Sequence, residues 1–197
     1  MGTVQIHPQK IVGHWRSGIA LDLHTTSSTP IGPNEHGHMQ FSTVRPPVAE
    51  LLYKLKYQGD QSAVPTIVAT AAAFLAPHRQ KFDLLIPVPP STPRAVQPVL
   101  VLADAIGAAI GLPVSNCIRT TRSTTQLKGV TEPEERRKLL DGLYAVDALN
   151  AAGKNILLFD DLFRSGATMN AITDVLLNQG KVASVSVLTI TKTRSNQ

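Results

Sequence analysis

The chain holds a single cysteine, Cys117, in 197 residues. One thiol excludes an internal disulfide framework and any zinc site built from several cysteines. Its expected state is a small buried hydrophobe in a reducing compartment. Charged residues are only 17% of the chain and hydrophobic residues are 43%, a balance that suits a packed domain and excludes a disordered one. No apolar run is long enough to span a bilayer. The most apolar helical stretch, VPTIVATAAAFLAP (Val64 to Pro77), is too short and meets a proline at its far end. Met1 to Lys10 contains His, Gln and Pro and does not read as a signal peptide. There is no internal repeat, no low-complexity tract and no G-x-x-x-x-G-K-[ST] phosphate loop. These absences predict a cytoplasmic protein with no membrane partner.

What is present is a mild basic excess, 19 Lys and Arg against 14 Asp and Glu, for a formal charge of +5. That suits a small anionic ligand and is too weak to argue for nucleic acid alone. The length allows one sizeable domain with a full core. Up to about residue 46 the chain is irregular: a partly alternating run (Gly13 to Ser28), a Pro- and Gly-rich loop, and MQFSTVR. Two extended runs around a turn-rich loop predict a long β-hairpin or flap. His24, His36 and His38, with Asp22 and Glu35, fall at spacings that match no common metal motif, so a polar loop is expected there. Trp15 is expected to be a packing anchor.

After Pro46-Pro47 the pattern becomes regular. VAELLYKLKY is helical and stopped by Gly59, and a second helix is expected over Gln61 to Ala76. FDLLIPVPP is a short apolar strand, AVQPVLVLADAIGAAIG a helix and LPVSNCIRTT a strand. PEERRKLLDG is a short charged helix, and NILLFDD, ATMNAITDVLLNQG and VASVSVLTITKT read as strand, helix and strand. Strands alternating with helices predict an α/β fold with a mainly parallel sheet covered on both faces. Ligands of such sheets sit at the carboxyl ends of the strands, which puts the loops PVPP and DDLFRSGAT in one crevice.

In ILLFDDLFRSGAT (Ile156 to Thr168) a buried strand runs into Asp160 and Asp161, and the small residues Ser165-Gly166-Ala167-Thr168 then open a helix. Adjacent carboxylates can accept hydrogen bonds from a vicinal diol or bind a hard cation. Small residues at a helix start let a backbone approach an anion, to which the first N–H groups point. A plain strand end with solvated carboxylates is the competing view. The strand before, the cradle and the helix after weigh against it. Together they describe a site for a 5-phosphoribosyl group.

The same segment resembles the phosphoribosyl-pyrophosphate signature of the type I phosphoribosyltransferases. LLYKLKYQGD, LLIPVPP and TTQLKGVTEPEERRKLLDGLYAV resemble the ComF-type branch, and the likeness runs roughly from Leu51 to Thr193. It implies a phosphoribosyltransferase-like domain over residues 47–197; the β-rich residues 1–46, which lie outside the likeness, are read as an N-terminal hood or flap that covers the acceptor side or contacts a second copy in a homodimer. It implies that Asp160 and Asp161 hold the ribose hydroxyls and act with magnesium. Arg164, Ser165, Gly166, Ala167 and Thr168 would bind around the 5′-phosphate. Val88, Pro89, Pro90 and Arg94 would form the pyrophosphate loop through backbone N–H groups and the Arg94 side chain. Arg119, Arg122 and Lys128 would neutralise charge from a mobile loop over Arg119 to Gly129. The implied chemistry is pyrophosphate displacement at the anomeric carbon by an unidentified acceptor. The alternative is a non-catalytic ligand-binding or competence accessory protein, with DNA as a weaker partner.

Three departures from that pattern stand out. The cysteine-rich module common in ComF-like proteins has no cysteines to build it. The stretch after Pro-Val-Pro is short and carries one arginine. Arg164 stands where purine-salvage members can carry an aspartate base, and arginine cannot act as a base. Glu134, Glu135, Arg136 and Arg137 are expected to form a surface helix with local ion pairs, and Gln126 has no assigned role.

Overall fold

The computed structural model describes residues 2–90, 97–122, 130, 132–147 and 151–194. Its centre is a five-stranded sheet. Chain order gives β1 (Gln9–Lys10), β2 (Ser17–Leu23), β3 (Ser27–Pro33), β4 (Met39–Val44), α1 (Pro47–Tyr53), α2 (Val64–Leu75), β5 (Leu84–Pro87), α3 (Pro98–Ile110), β6 (Ile118–Thr120), α4 (Pro133–Leu140), β7 (Tyr144–Val146), β8 (Asn155–Phe163), α5 (Ala167–Asn178) and β9 (Ser184–Lys192). The sheet order is β1-β2-β9-β8-β5. β2, β9, β8 and β5 are parallel, and only the edge strand β1 runs antiparallel. The carboxyl ends of four neighbouring strands therefore share one edge.

Strand alternation divides the interior into two cores. On β8, Ile156 and Leu158 pack under α5 with Met169, Ile172 and Leu176. Leu157 and Phe159 point the other way, among Leu52, Ile67, Leu102 and Ile106 of α1, α2 and α3. Burial on both faces explains why NILLF is a continuous apolar run. Truncating one of these buried leucines to alanine would cost about 2–5 kcal/mol. α1 starts on Pro47, whose missing N–H is no loss in a first turn. It does not simply stop at Tyr53. Lys54 to Gln58 form a π-helical turn, closed by Gly59 at φ +72°, and single π-turns of this kind recur at functional sites.

Two expectations change. Residues 1–46 are not a separate hood, because β2 pairs in parallel with β9 from Ser17↔Ser186 to Leu23↔Lys192 and so belongs to the central sheet. Only the hairpin β3–β4 projects, pairing Ser27↔Val44 through Pro33↔Met39, with Ile31, Met39, Phe41 and Val44 more than half exposed. It leaves the sheet just beyond the carboxyl end of β2, and the Arg194 guanidinium donates to the Thr26 carbonyl at its base. The expected strand LPVSNCIRTT is also divided. Val114 makes one parallel bridge to Leu85, and β6 pairs antiparallel with β7 as a small ribbon outside the main sheet. Trp15 is 7% exposed, donates from Nε1 to the Ile11 carbonyl at 3.2 Å, and meets Phe163 edge-on at 6.1 Å. It anchors packing, as expected. No described helix is long and apolar enough to cross a membrane.

Candidate functional site

The two aspartates lie inside β8, so their side chains leave opposite faces of the sheet. Asp160 follows Leu158 on the α5 side. Asp161 follows Phe159 on the side of α1. The expectation that both carboxylates grip one diol side by side is corrected by this alternation. Asp160 Oδ1 accepts the Asp161 N–H at 2.8 Å. Burial, and then the neighbouring Asp161 charge, push its carboxyl up to about 7. Asp161 is paired differently: Lys56 Nζ sits 2.8 Å from each of its oxygens. The Lys56 and Asp161 side chains are 16% and 10% exposed, so this pair is largely withdrawn from water.

The cradle beyond β8 forms as the sequence predicts. Arg164 and Ser165 are exposed in the turn, and Gly166 is buried. Gly166 has φ +76°, and a Cβ placed there would lie 3.0 Å from the Phe163 ring and 3.5 Å from Trp15. Only glycine meets both demands. α5 begins at Ala167, and the Asn170 N–H returns to the Gly166 carbonyl. Before Asn170, the Ala167 N–H meets Ser165 Oγ at 3.5 Å, and the first turn presents the positive end of the helix. Thr168 shares a side-chain hydrogen bond with Tyr144 of β7. Asp160, Arg164, Ser165, Gly166, Ala167 and Thr168 line one open cleft.

Other expected site residues lie elsewhere. Arg119 is exposed on β6 opposite Ala145, so alternation turns it away from the face that carries Tyr144. Arg122 donates to the carbonyls of Leu139 and Asp141 at 3.0 and 2.7 Å, which ties it to the end of α4. In the proline loop, the Val88 N–H is spent on the Phe159 carbonyl at 2.8 Å, and Pro89 and Pro90 have none. The described part of that loop therefore offers no N–H to a diphosphate. Arg94, Lys128 and Gln126 lie outside the described residues.

Residues without an expected role in the site lie in it or beside it. Arg136, expected on a solvated helix surface, lines the cleft. Lys56 holds Asp161. Tyr144 is buried behind Thr168, and burial keeps its hydroxyl in the neutral form. His24, just beyond β2, bonds Thr191 Oγ1 through Nδ1 at 3.1 Å. A positional signal existed for both cations. Lys56 lies four residues after the buried Leu52, and Arg136 four before the buried Leu140, so each shares an inward helix face.

No family profile matches the chain. The chain is 29% identical over 143 residues to the competence protein ComFC of Bacillus subtilis (strain 168), an alignment covering 72% of this chain and 58% of that protein. It thus spans less than two thirds of that relative's length. Among solved structures, adenine phosphoribosyltransferase from Saccharomyces cerevisiae superposes with a TM-score of 0.50 at 13% identity, over 84% of this chain and 83% of that one. Glutamine phosphoribosylpyrophosphate amidotransferase from B. subtilis also superposes with a TM-score of 0.50, at 16% identity, over 80% of this chain and 34% of that one. With a parallel sheet, a helix-start cradle at its carboxyl edge and these likenesses, the molecule is a type I phosphoribosyltransferase-fold protein with ComF-like sequence.

Proposed function

We propose that this chain binds 5-phosphoribosyl 1-pyrophosphate with magnesium and transfers the phosphoribosyl group to an acceptor, releasing pyrophosphate. The observation that carries this is the position of Asp160 in a cleft whose wall is the start of α5 at Gly166. The 5′-phosphate would lie on the N–H groups of the first turn, with the Ser165 and Thr168 hydroxyls beside it. Tyr144 holds Thr168 in place. Asp160 would accept from the ribose hydroxyls. In its ionised form, which magnesium beside it would favour, Asp160 would lower the barrier as the anomeric carbon becomes positive and the bond to pyrophosphate breaks. Arg136, which also lines the cleft, would offset the negative charge of the departing group.

Magnesium fits this donor set. Among the described residues no group of three His, Cys, Asp or Glu is placed to hold a metal, but magnesium often uses one or two carboxylates and takes its remaining ligands from substrate oxygens and water. Asp160 is the carboxylate available for it, since Lys56 already neutralises Asp161. The bound ion would supply positive charge beside the diphosphate oxygens.

A second reading is a competence-related protein that binds such a ligand without turnover. The Lys56–Asp161 pair, Arg164 in place of a base, and the likeness to ComFC favour it. Pyrophosphate release, assayed with nucleobases and amines as acceptors, separates the two. Turnover with any acceptor supports the transferase. Ligand binding with no release across the panel supports the second reading.

A further inference from the structure

Four basic side chains, His24, Arg45, Lys56 and Arg164, gather at the carboxyl edge of the sheet, beside the cleft. His24 stands one residue past β2, and Arg164 one residue past β8. β9 alone separates those strands, so their ends are about 10 Å apart. Arg45 enters from the return of the hairpin. Its guanidinium lies 4.0 Å from the centre of the Tyr53 ring, with one nitrogen 3.7 Å from Glu50. Its Nε is buried without a hydrogen-bond partner. Lys56 comes from the π-turn. The charges of Arg45, Lys56 and Arg164 all act on His24, and burial and these three cations keep its imidazole below its usual range.

Among the described residues, the negative groups facing the cluster are fewer. Asp161 faces the cluster and Glu50 lies at its rim. Three permanent cations thus meet two carboxylates around a neutral imidazole, leaving positive charge uncompensated. Folding gathers like charges this way at a cost that an anionic ligand can offset. Arg164 belongs to both regions, because it also lines the sugar-phosphate cleft. A molecule on the cluster would therefore lie next to the anomeric carbon of a ribose held by Asp160.

We infer that His24, Arg45, Lys56 and Arg164 form the acceptor subsite, and that it takes an anionic acceptor, a small planar molecule carrying a carboxylate. This rests on the transferase reading above and narrows it to a substrate class. A carboxylate matches the two-pronged donor set of Arg45 or Arg164, while the imidazole of His24 can share a hydrogen bond with the acceptor's ring. Such an acceptor also accounts for an arginine where a general base is missing, since the residue orients charge and removes no proton.

The test uses the full chain and two matched probe pairs, nicotinate against nicotinamide and orotate against uracil. Each is titrated with and without saturating phosphoribosyl pyrophosphate and magnesium. The charged member of each pair should bind at least about tenfold more tightly. That gap should fall below about threefold in the Arg45→Met, Arg164→Met double variant, while Arg45→Lys, which keeps the charge and loses the two-pronged donors, should leave only part of it. Equal or tighter binding by the neutral members, no binding by either anion, or a gap untouched by the double substitution would overturn the inference. Titration with phosphoribosyl pyrophosphate alone separates the two failures. A chain that binds it without anion preference loses only the subsite, and a chain that does not bind it loses the transferase reading, while the probe pairs without it still decide the subsite.

Discussion

Lys56 Nζ lies 2.8 Å from both oxygens of Asp161, on the face of β8 opposite Asp160. The two adjacent acids thereby acquire different environments. One is neutralised by a lysine from a π-turn. The other is held in the cleft against the start of α5.

Breaking the pair should be costly, because either partner alone would be a nearly buried charge. Lys56→Met and Asp161→Asn should each lower stability by about 2 kcal/mol in urea unfolding. The double variant should lose little more than either single one, since both changes remove the same interaction. Additive losses would mean that the pair is not coupled.

Asp160 gives a pH dependence with a definite sign. Its carboxyl is raised from 3.8 to about 7 in the folded chain, so folding favours its protonated form. The associated stability is full below the unfolded value and is lost as pH rises through the folded one. Asp160→Asn mimics the protonated side chain. In thermal melts without ligand the variant should therefore exceed the wild type by several degrees near pH 8, and the gap should close toward about pH 4–5. A gap independent of pH would contradict the assignment.

Gly166→Ala joins two penalties, a left-handed backbone and a methyl 3.0 Å from the Phe163 ring. Destabilisation of about 1–3 kcal/mol is expected, together with loss of phosphoribosyl-ligand binding, because the cradle must move. Isothermal calorimetry alongside a melting curve measures both.

The arginines separate by position. Arg136→Met should weaken ligand binding by about tenfold, as expected for a cation facing the cleft. Arg122→Ala should instead lower stability by about 1 kcal/mol through loss of its two carbonyl contacts at the end of α4. If Arg122→Ala weakens binding more than Arg136→Met, the placement of these residues is wrong.

Much of the fold could be read from NILLF, LLIP and the helices between them, because burial on both faces imposes apolar runs and helical spacing directly. The cradle was equally legible, since Gly166 and its small neighbours are local signals. The run that holds β2 was legible as extended, but its place in the central sheet was not, because that place is set by β9, which lies far along the chain. The separation of Asp160 from Asp161 follows from strand alternation, once the strand is known to continue past them to Phe163. Arg136 looked like a solvated charge because charge dominates PEERRK, and Lys56 stood inside the ComF-like motif LLYKLKYQGD with no role of its own. Their inward positions show only against the leucines four residues away.

The most direct measurement is calorimetric titration of phosphoribosyl pyrophosphate, with magnesium, into the wild-type chain and into Asp160→Ala. The account predicts saturable one-to-one binding to the wild type and a loss of affinity of at least about tenfold in the variant. Absence of binding to the wild type, or equal binding by Asp160→Ala, would contradict it.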